Sequence, residues 1–299
     1  MTIYSEIDSN KRRTWVMIFG FFVFIIALGW VFGRVYNEPL ILVAAVIFAT
    51  VQALVSYYRS AEIVLAVSGA HPVSEQQDPD LYHILENLSI TAGTPMPRLY
   101  MIEDTAPNAF ATGRDPEHAV VVVTRGLREK LTRTELEGVV AHELSHVRNY
   151  DIRLMTVVVV LVGVVALLSD WFLRWSFWGG GGRRRRSEGG GQGEVILLVI
   201  ALVLAILAPI AAVLIQLAIS RRREYLADAS GSLLTRYPEG LASALEKISA
   251  DQEPLEAANK ATAHLYIENP LKGHGGALNS LFSTHPPVAE RIKRLRGML

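Results

Sequence analysis

The sequence contains no cysteine, and this absence narrows the chemistry available to the protein. Disulfides, thiolate zinc sites, iron–sulfur clusters and cysteine nucleophiles are all excluded. Any protein-bound metal must therefore be held by histidine and carboxylate side chains. The chain has only 8 histidines to consider.

Charge is also scarce. Charged residues make up 19% of the chain, against roughly 25% in soluble domains, while apolar residues make up 51%. The 29 basic and 29 acidic residues cancel, so the formal net charge is zero. This balance removes the simple electrostatic argument for a nucleic-acid-binding protein, which needs a basic face. The apolar content also excludes a disordered chain.

The apolar residues are concentrated in four runs, at 15–32, 39–58, 154–173 and 195–219. A helix rises about 1.5 Å per residue, so about 20 residues cross a hydrocarbon core of roughly 30 Å. All four runs are long enough, and together they exceed what one soluble core needs. The first run is longer than the apolar part of a signal peptide, and no small-residue cleavage site follows it. It is therefore predicted to be a retained anchor.

These runs divide the chain. Residues 1–58 are predicted to form a transmembrane hairpin whose connection lies at residues 33–38. Residues 152–220 are predicted to hold the third and fourth spans. The polar stretches 59–151 and 221–299 are the only material for a water-facing domain. The glycine- and arginine-rich loop at 179–194 is typical of a flexible coil.

Lysine and arginine residues near the span ends predict that the termini and both polar stretches face the cytoplasm. Eight basic residues flank the spans on that side and six on the other. The arginine run at 183–186 argues against this orientation, and it leaves open a shallow hairpin of the last two spans. The cytoplasmic set is Lys11, Arg12, Arg13, Arg59, Arg148, Arg221, Arg222 and Arg223.

A helical segment just before the third run carries His142-Glu-Leu-Ser-His146. Thr134 and Glu137 fit a capping box at the start of this helix. Residues four apart share one face of a helix, so His142 and His146 are predicted to point at one ion. Glu143 can take a proton from water on that ion, and zinc polarises a peptide carbonyl and lowers the pKa of water to about 7.

A catalytic zinc needs a third protein ligand and one open position. Asn149 and Ile152 stand where the metzincin pattern requires glycine and histidine, so that variant is excluded. The third ligand must come from further along the chain. The downstream candidates are Glu224, His264, His274 and His285.

Glu224 and Asp228 are four residues apart in a segment predicted to be helical. One carboxylate can bind zinc while the other accepts a hydrogen bond from a ligand histidine and fixes its tautomer. The alternative is a solvated charged turn at a membrane edge.

Three separated motifs resemble the HtpX family of bacterial inner-membrane zinc metalloproteases, which is related to the type I CAAX prenyl protease. They are His142-Glu-Leu-Ser-His146-Val-Arg-Asn-Tyr-Asp151, Glu224-Tyr-Leu-Ala-Asp228 and Ser283-Thr-His-Pro-Pro287-Val-Ala-Glu-Arg-Ile292. The resemblance covers the whole chain. It implies a mainly α membrane protein with four transmembrane helices and a cytoplasmic α+β, gluzincin-like zinc metalloprotease domain carrying a small β-sheet.

The resemblance also implies residue roles. Glu224 would be the third ligand of one Zn²⁺ per subunit, Glu143 the base and Asp228 the partner of a ligand histidine. His285 and Arg291 would lie near the substrate carbonyl and stabilise its oxyanion. From the residues alone, His285 is equally well explained as the residue before a helix that begins near Pro286.

The segment Pro107–Gly113 precedes a β-rich run at 119–124. The resemblance makes Asn108, Ala109 and Phe110 part of an edge strand beside the cleft, where a substrate can pair through its backbone. The alternative is an ordinary hairpin.

The implied function is a multi-pass inner-membrane endopeptidase that cleaves membrane or misfolded polypeptides in membrane protein quality control. Its partners would be polypeptides and the lipid bilayer, with no nucleic acid. A transporter or channel, motivated by Asp170 and Gln216, is the alternative of another class. An inactive membrane scaffold is a third, although the intact Glu143 argues against it.

One zinc cannot be shared across a bilayer. Because His142 and His146 precede the last two runs and Glu224 follows them, those runs must cross the membrane an even number of times.

Overall fold

The structure is a computed structural model that describes residues 3–179, 221–258, 262–268, 270 and 286–298. The predicted fourth span at 195–219, all but the first residue of the loop 179–194, and His274 and His285 lie outside the described residues.

Helices and a small sheet alternate along the chain. The helices are α1 (Ile3–Tyr36), α2 (Leu40–Tyr58), α3 (Ser60–Ser68), α4 (Pro79–Ala92), α5 (Arg125–Lys130), α6 (Arg133–Arg148), α7 (Asp151–Gly179), α8 (Arg221–Thr235), α9 (Pro238–Ala250) and α10 (Val288–Arg296). The strands are β1 (His71–Pro72), β2 (Arg98–Ile102), β3 (Ala109–Thr112) and β4 (Val120–Thr124). Short 3-10 turns lie at Pro116–His118 and Ala263–Leu265.

Within the described residues, three helices are long and apolar enough to cross a membrane. The stretches are Ile7–Arg34, Leu40–Tyr58 and Asp151–Asp170, with mean hydropathies of 2.5, 2.3 and 2.6. Three of the four predicted runs therefore form helices of spanning length. Large apolar side chains on α2 are more than half exposed, as a lipid-facing surface requires; Val43, Ile47, Val51 and Leu54 are among them.

The turn between the first two helices is tighter than predicted. The sequence placed the connection at residues 33–38, but α1 continues to Tyr36. Asn37 takes a positive φ of 53°, a conformation that asparagine tolerates better than most residues. The Glu38 amide donates to the carbonyl of Gly33 and closes the turn.

The sheet has the strand order β1-β2-β4-β3. β2 and β4 run parallel, whereas β1 and β3 pair antiparallel with their neighbours. Alternate valines of β4 face opposite sides, because side chains in a strand alternate. Val121 and Val123 pack on α4, α6 and α9, while Val120 and Val122 pack on the side of α3 and α7. Both faces are covered, which explains the unbroken apolar sequence of this strand.

The motif helix α6 packs between α8 and α9. Two glycines permit these close contacts. A Cβ at Gly231 of α8 would lie 3.0 Å from the backbone nitrogen of His142, and one at Gly138 of α6 would lie 2.6 Å from that of Leu241. The helix that carries the motif is thus pressed directly against α8.

The predicted capping box is wrong by two residues. Thr132, not Thr134, caps α6, and Glu135 is its partner. The Glu135 carboxylate accepts from the Thr132 backbone N–H at 2.8 Å and from Lys247 of α9 at 2.7 Å. Both threonines have a glutamate three residues later, and the ion pair with α9 favours the earlier one. Glu137 instead pairs with Arg133 on the helix surface.

Candidate metal centre

His142 and His146 lie one turn apart on α6 and face each other. Their rings are perpendicular, with centroids 4.8 Å apart. The two Nε2 atoms are 3.2 Å apart, and both side chains are buried. The predicted juxtaposition of the two imidazoles is therefore present.

Glu224 of α8 completes the group. Its carboxylate oxygens lie 3.7 Å from Nε2 of His142 and 3.6 Å from Nε2 of His146. One ligand atom from each of the three residues falls within 4.8 Å of the others. Two imidazoles and one carboxylate at this spacing could hold a metal ion, and they are the ligand types to which a cysteine-free chain is restricted.

The opposite nitrogens of the two rings both face carboxylates. Nδ1 of His142 lies 3.0 Å from Asp228, and Nδ1 of His146 lies 3.0 Å from Asp151. From these contacts we assign the proton to Nδ1 in each neutral ring. Each Nε2 then presents a lone pair, and the two lone pairs and the Glu224 carboxylate converge. The residues therefore fit a bound cation.

Protonation of the metal-free site follows the same electrostatics. Burial by itself lowers the pKa of His146, but the hydrogen bond to Asp151 and the charge of Glu224 outweigh it and raise the pKa to about 9. In Glu143, burial raises the pKa above its ordinary value, against the lowering effect of His142 and His146. A buried carboxylate of raised basicity suits a group that takes up a proton.

Arg291 reaches the site from α10 and is fully buried, at 0% exposure. Its guanidinium donates two hydrogen bonds to the Asp228 carboxylate, at 2.9 and 2.7 Å, and a third to the carbonyl of Ile267. Burial raises the pKa of Asp228, but the charge of Arg291 outweighs it and leaves that pKa well below its usual range. Arg291 thus holds the carboxylate that orients His142.

The segment predicted to bind substrate forms β3 and its approach. β3 lies at the end of the strand order, so the edge position is present. In this structure Ile267 of the same chain donates its N–H to the carbonyl of Ala109 at 2.9 Å, and the Asn108 side chain donates to the carbonyl of Glu268. Phe110 packs edge-to-face against Tyr266. Asn108, Ala109 and Phe110 are all buried by these contacts.

Among the remaining candidates, His264 is not part of the site. Its Nε2 lies 3.2 Å from the carbonyl of Met155 in α7. Asp151 stands five residues after His146 at the start of α7, and sequence reasoning assigned it no role. Its position one turn beyond the motif was the available signal.

Comparison with known proteins agrees with this geometry. The sequence profile described as peptidase family M48 matches residues 75–299. The chain is 48% identical over 99% of its length to a protein named Protease HtpX homolog from Dictyoglomus turgidum, and the match covers 95% of that relative. Relatives of the same name from Tropheryma whipplei (strain Twist) and Streptococcus gordonii are 47% and 45% identical, over 99% of this chain and 98% and 100% of theirs.

The crystal structure of S. mikatae Ste24p has a similar fold. It superposes with a TM-score of 0.50 at 21% identity, and the match covers 98% of this chain. The match covers 66% of Ste24p, so this chain spans slightly less than two thirds of its length.

A buried His-His-Glu group beside long apolar helices defines a membrane-bound metalloprotease. The chain belongs to peptidase family M48, and within that family it belongs with the HtpX proteins.

Proposed function

We propose that the protein is a zinc-dependent endopeptidase that cleaves membrane or misfolded polypeptides in membrane protein quality control. One Zn²⁺ per subunit would be held by His142, His146 and Glu224. The observation that carries the proposal is the convergence of two Nε2 atoms and one carboxylate in a buried site. Zinc is the ion that this nitrogen and oxygen donor set suits in a catalytic site with one open position. When bound, it supplies Lewis acidity toward water and a peptide carbonyl.

Glu143 is the proposed general base. It follows the first ligand on α6 and is 2% exposed. The charges of His142, His146 and Arg291 lower its pKa, against the larger raising effect of burial. In the hydrolysis, the oxygen of a water molecule bonds to the carbonyl carbon and Glu143 receives the water proton. When the C–N bond breaks, the same proton passes to the leaving amine. The carboxylate is thereby regenerated.

The substrate would pair with the outer edge of β3. Antiparallel pairing with β4 directs alternate backbone groups outward, at Ala109 and Ala111. Ile267 already pairs at Ala109, so a substrate strand would continue from Ala111 or take the place of Ile267. Replacing Asn108 with alanine is expected to raise KM more than it lowers kcat, because this side chain lies beside the edge and not at the metal.

Arg291 and His285 are proposed to stabilise the carbonyl oxygen during attack, as the resemblance implies. Arg291 carries its charge to within 3.5 Å of the His142 ring, so it stands beside the metal ligands. His285 lies outside the described residues.

The site is proposed to face the cytoplasm from the bacterial inner membrane, with residues 195–219 as a fourth span. Two features support this topology. His142, His146 and Glu224 form one cluster although α7 and residues 180–220 separate them in sequence, which requires an even number of crossings. The basic residues near the span ends are more numerous on the side of the site.

The decisive experiment compares Glu143→Gln with the wild-type chain in detergent, using casein as an unfolded substrate. We expect Glu143→Gln to retain stoichiometric zinc and to lose at least about 10²-fold in kcat, the scale of general-base catalysis. Chelation should abolish wild-type cleavage, and added zinc should restore it.

Glu137→Gln is the matched control, because it makes the same change on the surface of the same helix. It should cleave casein at the wild-type rate. Undiminished cleavage by Glu143→Gln would overturn the mechanism. Loss of zinc from Glu143→Gln would instead give this residue a part in binding the metal.

A transporter or an inactive scaffold is not favoured. Of the two residues that motivated the transporter, Asp170 is the last residue of the third apolar stretch, a position from which a side chain can reach a membrane interface, and Gln216 lies outside the described residues.

A further inference from the structure

A buried asparagine of the first membrane helix is hydrogen-bonded to the surroundings of the metal centre. Asn10 lies in α1 within the apolar stretch Ile7–Arg34 and is 1% exposed. Its Nδ2 donates to the carbonyl of Asn149 at 3.0 Å and to Oδ1 of Asp151 at 2.6 Å. Asn10 and Asp151 are 141 residues apart in sequence.

The contact continues to a metal ligand. The second oxygen of Asp151 lies 3.0 Å from Nδ1 of His146. Arg223 of α8 adds its charge, with Nε 3.4 Å from Oδ1 of Asp151 and Nη1 donating to Oδ1 of Asn10 at 3.1 Å. The side-chain amide of Asn10 therefore donates to the carboxylate and accepts from the guanidinium at once.

This arrangement requires an amide. An aspartate at position 10 would repel Asp151, and an aliphatic side chain would deprive both Asp151 and Arg223 of a buried partner. A buried polar group is costly unless it is hydrogen-bonded, so the burial of the Asn10 side chain depends on these partners. Helix–helix adhesion alone would not require that its partner be the carboxylate behind a metal ligand.

We propose that Asn10 is a positioning residue for the metal centre. It holds Asp151 in the orientation that keeps the proton of His146 on Nδ1 and its Nε2 aimed at the metal. The affinity of the site for zinc thus depends on the first membrane helix. This inference rests on the proposed metal site and deepens it.

The test measures zinc affinity of the purified full-length chain in detergent by competition with a chelator, and casein cleavage separately. Losing the direct partner of a metal ligand costs about 10–100-fold in metal affinity, and Asn10 is one contact further from the metal. Asn10→Leu is therefore expected to weaken zinc binding by about 10-fold, the lower end of that range. Thr14→Val is the matched control, since Thr14 is buried one turn further along α1 and donates to its own helix, at the carbonyl of Asn10. Its zinc affinity should equal that of the wild type.

A double-mutant cycle separates positioning from packing. If Asn10 acts through Asp151, Asn10→Leu should change zinc affinity little in a chain that already carries Asp151→Ala, which has no acceptor for the Asn10 amide. The alternative is that Asn10 only stabilises the packing of α1 on α7. In that case the melting temperature of metal-free Asn10→Leu falls while its zinc affinity stays at the wild-type value. That result overturns the proposal. Should Asn10→Leu fail to fold, Asn10→Ser gives the same measurement with a smaller change.

The two proposals fail in different ways. A wild-type chain that binds zinc but does not cleave casein refutes the protease and leaves the role of Asn10 intact. A wild-type chain that binds zinc and cleaves, beside an Asn10→Leu variant of equal zinc affinity, refutes only the role of Asn10. A wild-type chain that binds no zinc refutes both.

Discussion

The two histidines of the motif each contact a carboxylate, but different side chains hold the two carboxylates in place. Each presents Nδ1 to a carboxylate at 3.0 Å. Behind His142, the Asp228 carboxylate of α8 accepts two hydrogen bonds from the guanidinium of Arg291 in α10. Behind His146, Asp151 accepts a hydrogen bond from the amide of Asn10, in a helix of spanning length, and lies 3.4 Å from Nε of Arg223 in α8.

This difference shows how the metal centre is connected both to α8 and α10 and to the first membrane helix, α1. A close ion pair connects the first histidine to α8 and α10. The second is connected to α1 by the hydrogen-bonded amide of Asn10 and to α8 by the longer contact of Arg223. Breaking a buried ion pair by removing one partner leaves an uncompensated charge, whereas losing an amide leaves an unsatisfied hydrogen bond. The two anchors should therefore respond unequally to substitution.

The largest effect is expected from Asp228→Ala. It leaves the buried charge of Arg291 without its carboxylate, so the free energy of unfolding of the metal-free protein should fall by about 3–5 kcal/mol. Thermal melting in detergent measures it. Adding Arg291→Met to Asp228→Ala should recover part of the loss, because no buried charge then remains unpaired. An unchanged melting temperature for Asp228→Ala would contradict this account.

Asp151→Ala is expected to have the second-largest effect on stability. It removes the acceptor of His146 and of Asn10 and the ion-pair partner of Arg223, and a hydrogen bond to a charged group contributes about 1.5–3 kcal/mol. Arg223 lies 3.4 Å from Asp151 and keeps its hydrogen bond to Asn10, so the loss should be smaller than for Asp228→Ala. We expect the free energy of unfolding of the metal-free protein to fall by about 2–3 kcal/mol and zinc binding to weaken. Asp151→Asn keeps an acceptor oxygen, so it should lose less stability and less zinc affinity than Asp151→Ala. If the two variants bound zinc equally well, the carboxylate of Asp151 would not be what orients His146.

Gly231→Ala should disturb the His142 side of the site. The added methyl would lie 3.0 Å from the backbone nitrogen of His142 and 3.1 Å from the carbonyl carbon of Ala141. Forcing α8 away from α6 is expected to cost about 1–3 kcal/mol and to weaken zinc binding. Gly163→Ala in α7 is the control, since a Cβ there meets nothing within 4 Å. Equal melting temperatures for the two variants would show that the helices do not touch at Gly231.

The smallest effect concerns the other end of α6. Burial raises the pKa of Glu135, but Lys247 and the Thr132 amide outweigh it, so the folded pKa lies below the ordinary value of 4.5. This carboxylate therefore stabilises the fold above pH 4.5, and the stabilisation is lost as pH falls through the lowered pKa.

Glu135→Gln should accordingly cost about 0.5–1 kcal/mol at neutral pH, with the difference from wild type shrinking in acid. Melting temperatures measured across the acid range provide the check. Glu137→Gln, which loses only a surface pair, should change less. A difference between Glu135→Gln and wild type that does not depend on pH would exclude this ion pair as its source.

Local patterns carried much of the prediction. The spacing of His142 and His146 and that of Glu224 and Asp228 each follow from helical periodicity, and both pairs lie on one face of their helix in the structure. The apolar runs followed from composition alone. The cap of α6 was misplaced because two threonines met the same local rule, and the deciding partner, Lys247, lies 112 residues from Glu135.

The contact between Asp151 and Asn10 was missed for a similar reason. Asp151 reads as an ordinary acidic residue at the start of a helix, and Asn10 as one of several polar residues that precede the apolar run at 15–32. Nothing local indicates that they meet. Their hydrogen bond exists only because α1 packs along α7.

By itself, the sequence determined the kinds of ligand the protein can offer, the helix that presents two of them, and the apolar runs, because each depends on residue type and on spacings of a few residues. Tertiary structure alone decided that Glu224 faces those histidines, that Arg291 holds Asp228, and that Ile267 pairs with the edge of β3. These contacts join segments that are far apart in sequence. They depend on how helices and strands pack, and helical or strand periodicity specifies which face is buried but not which partner buries it.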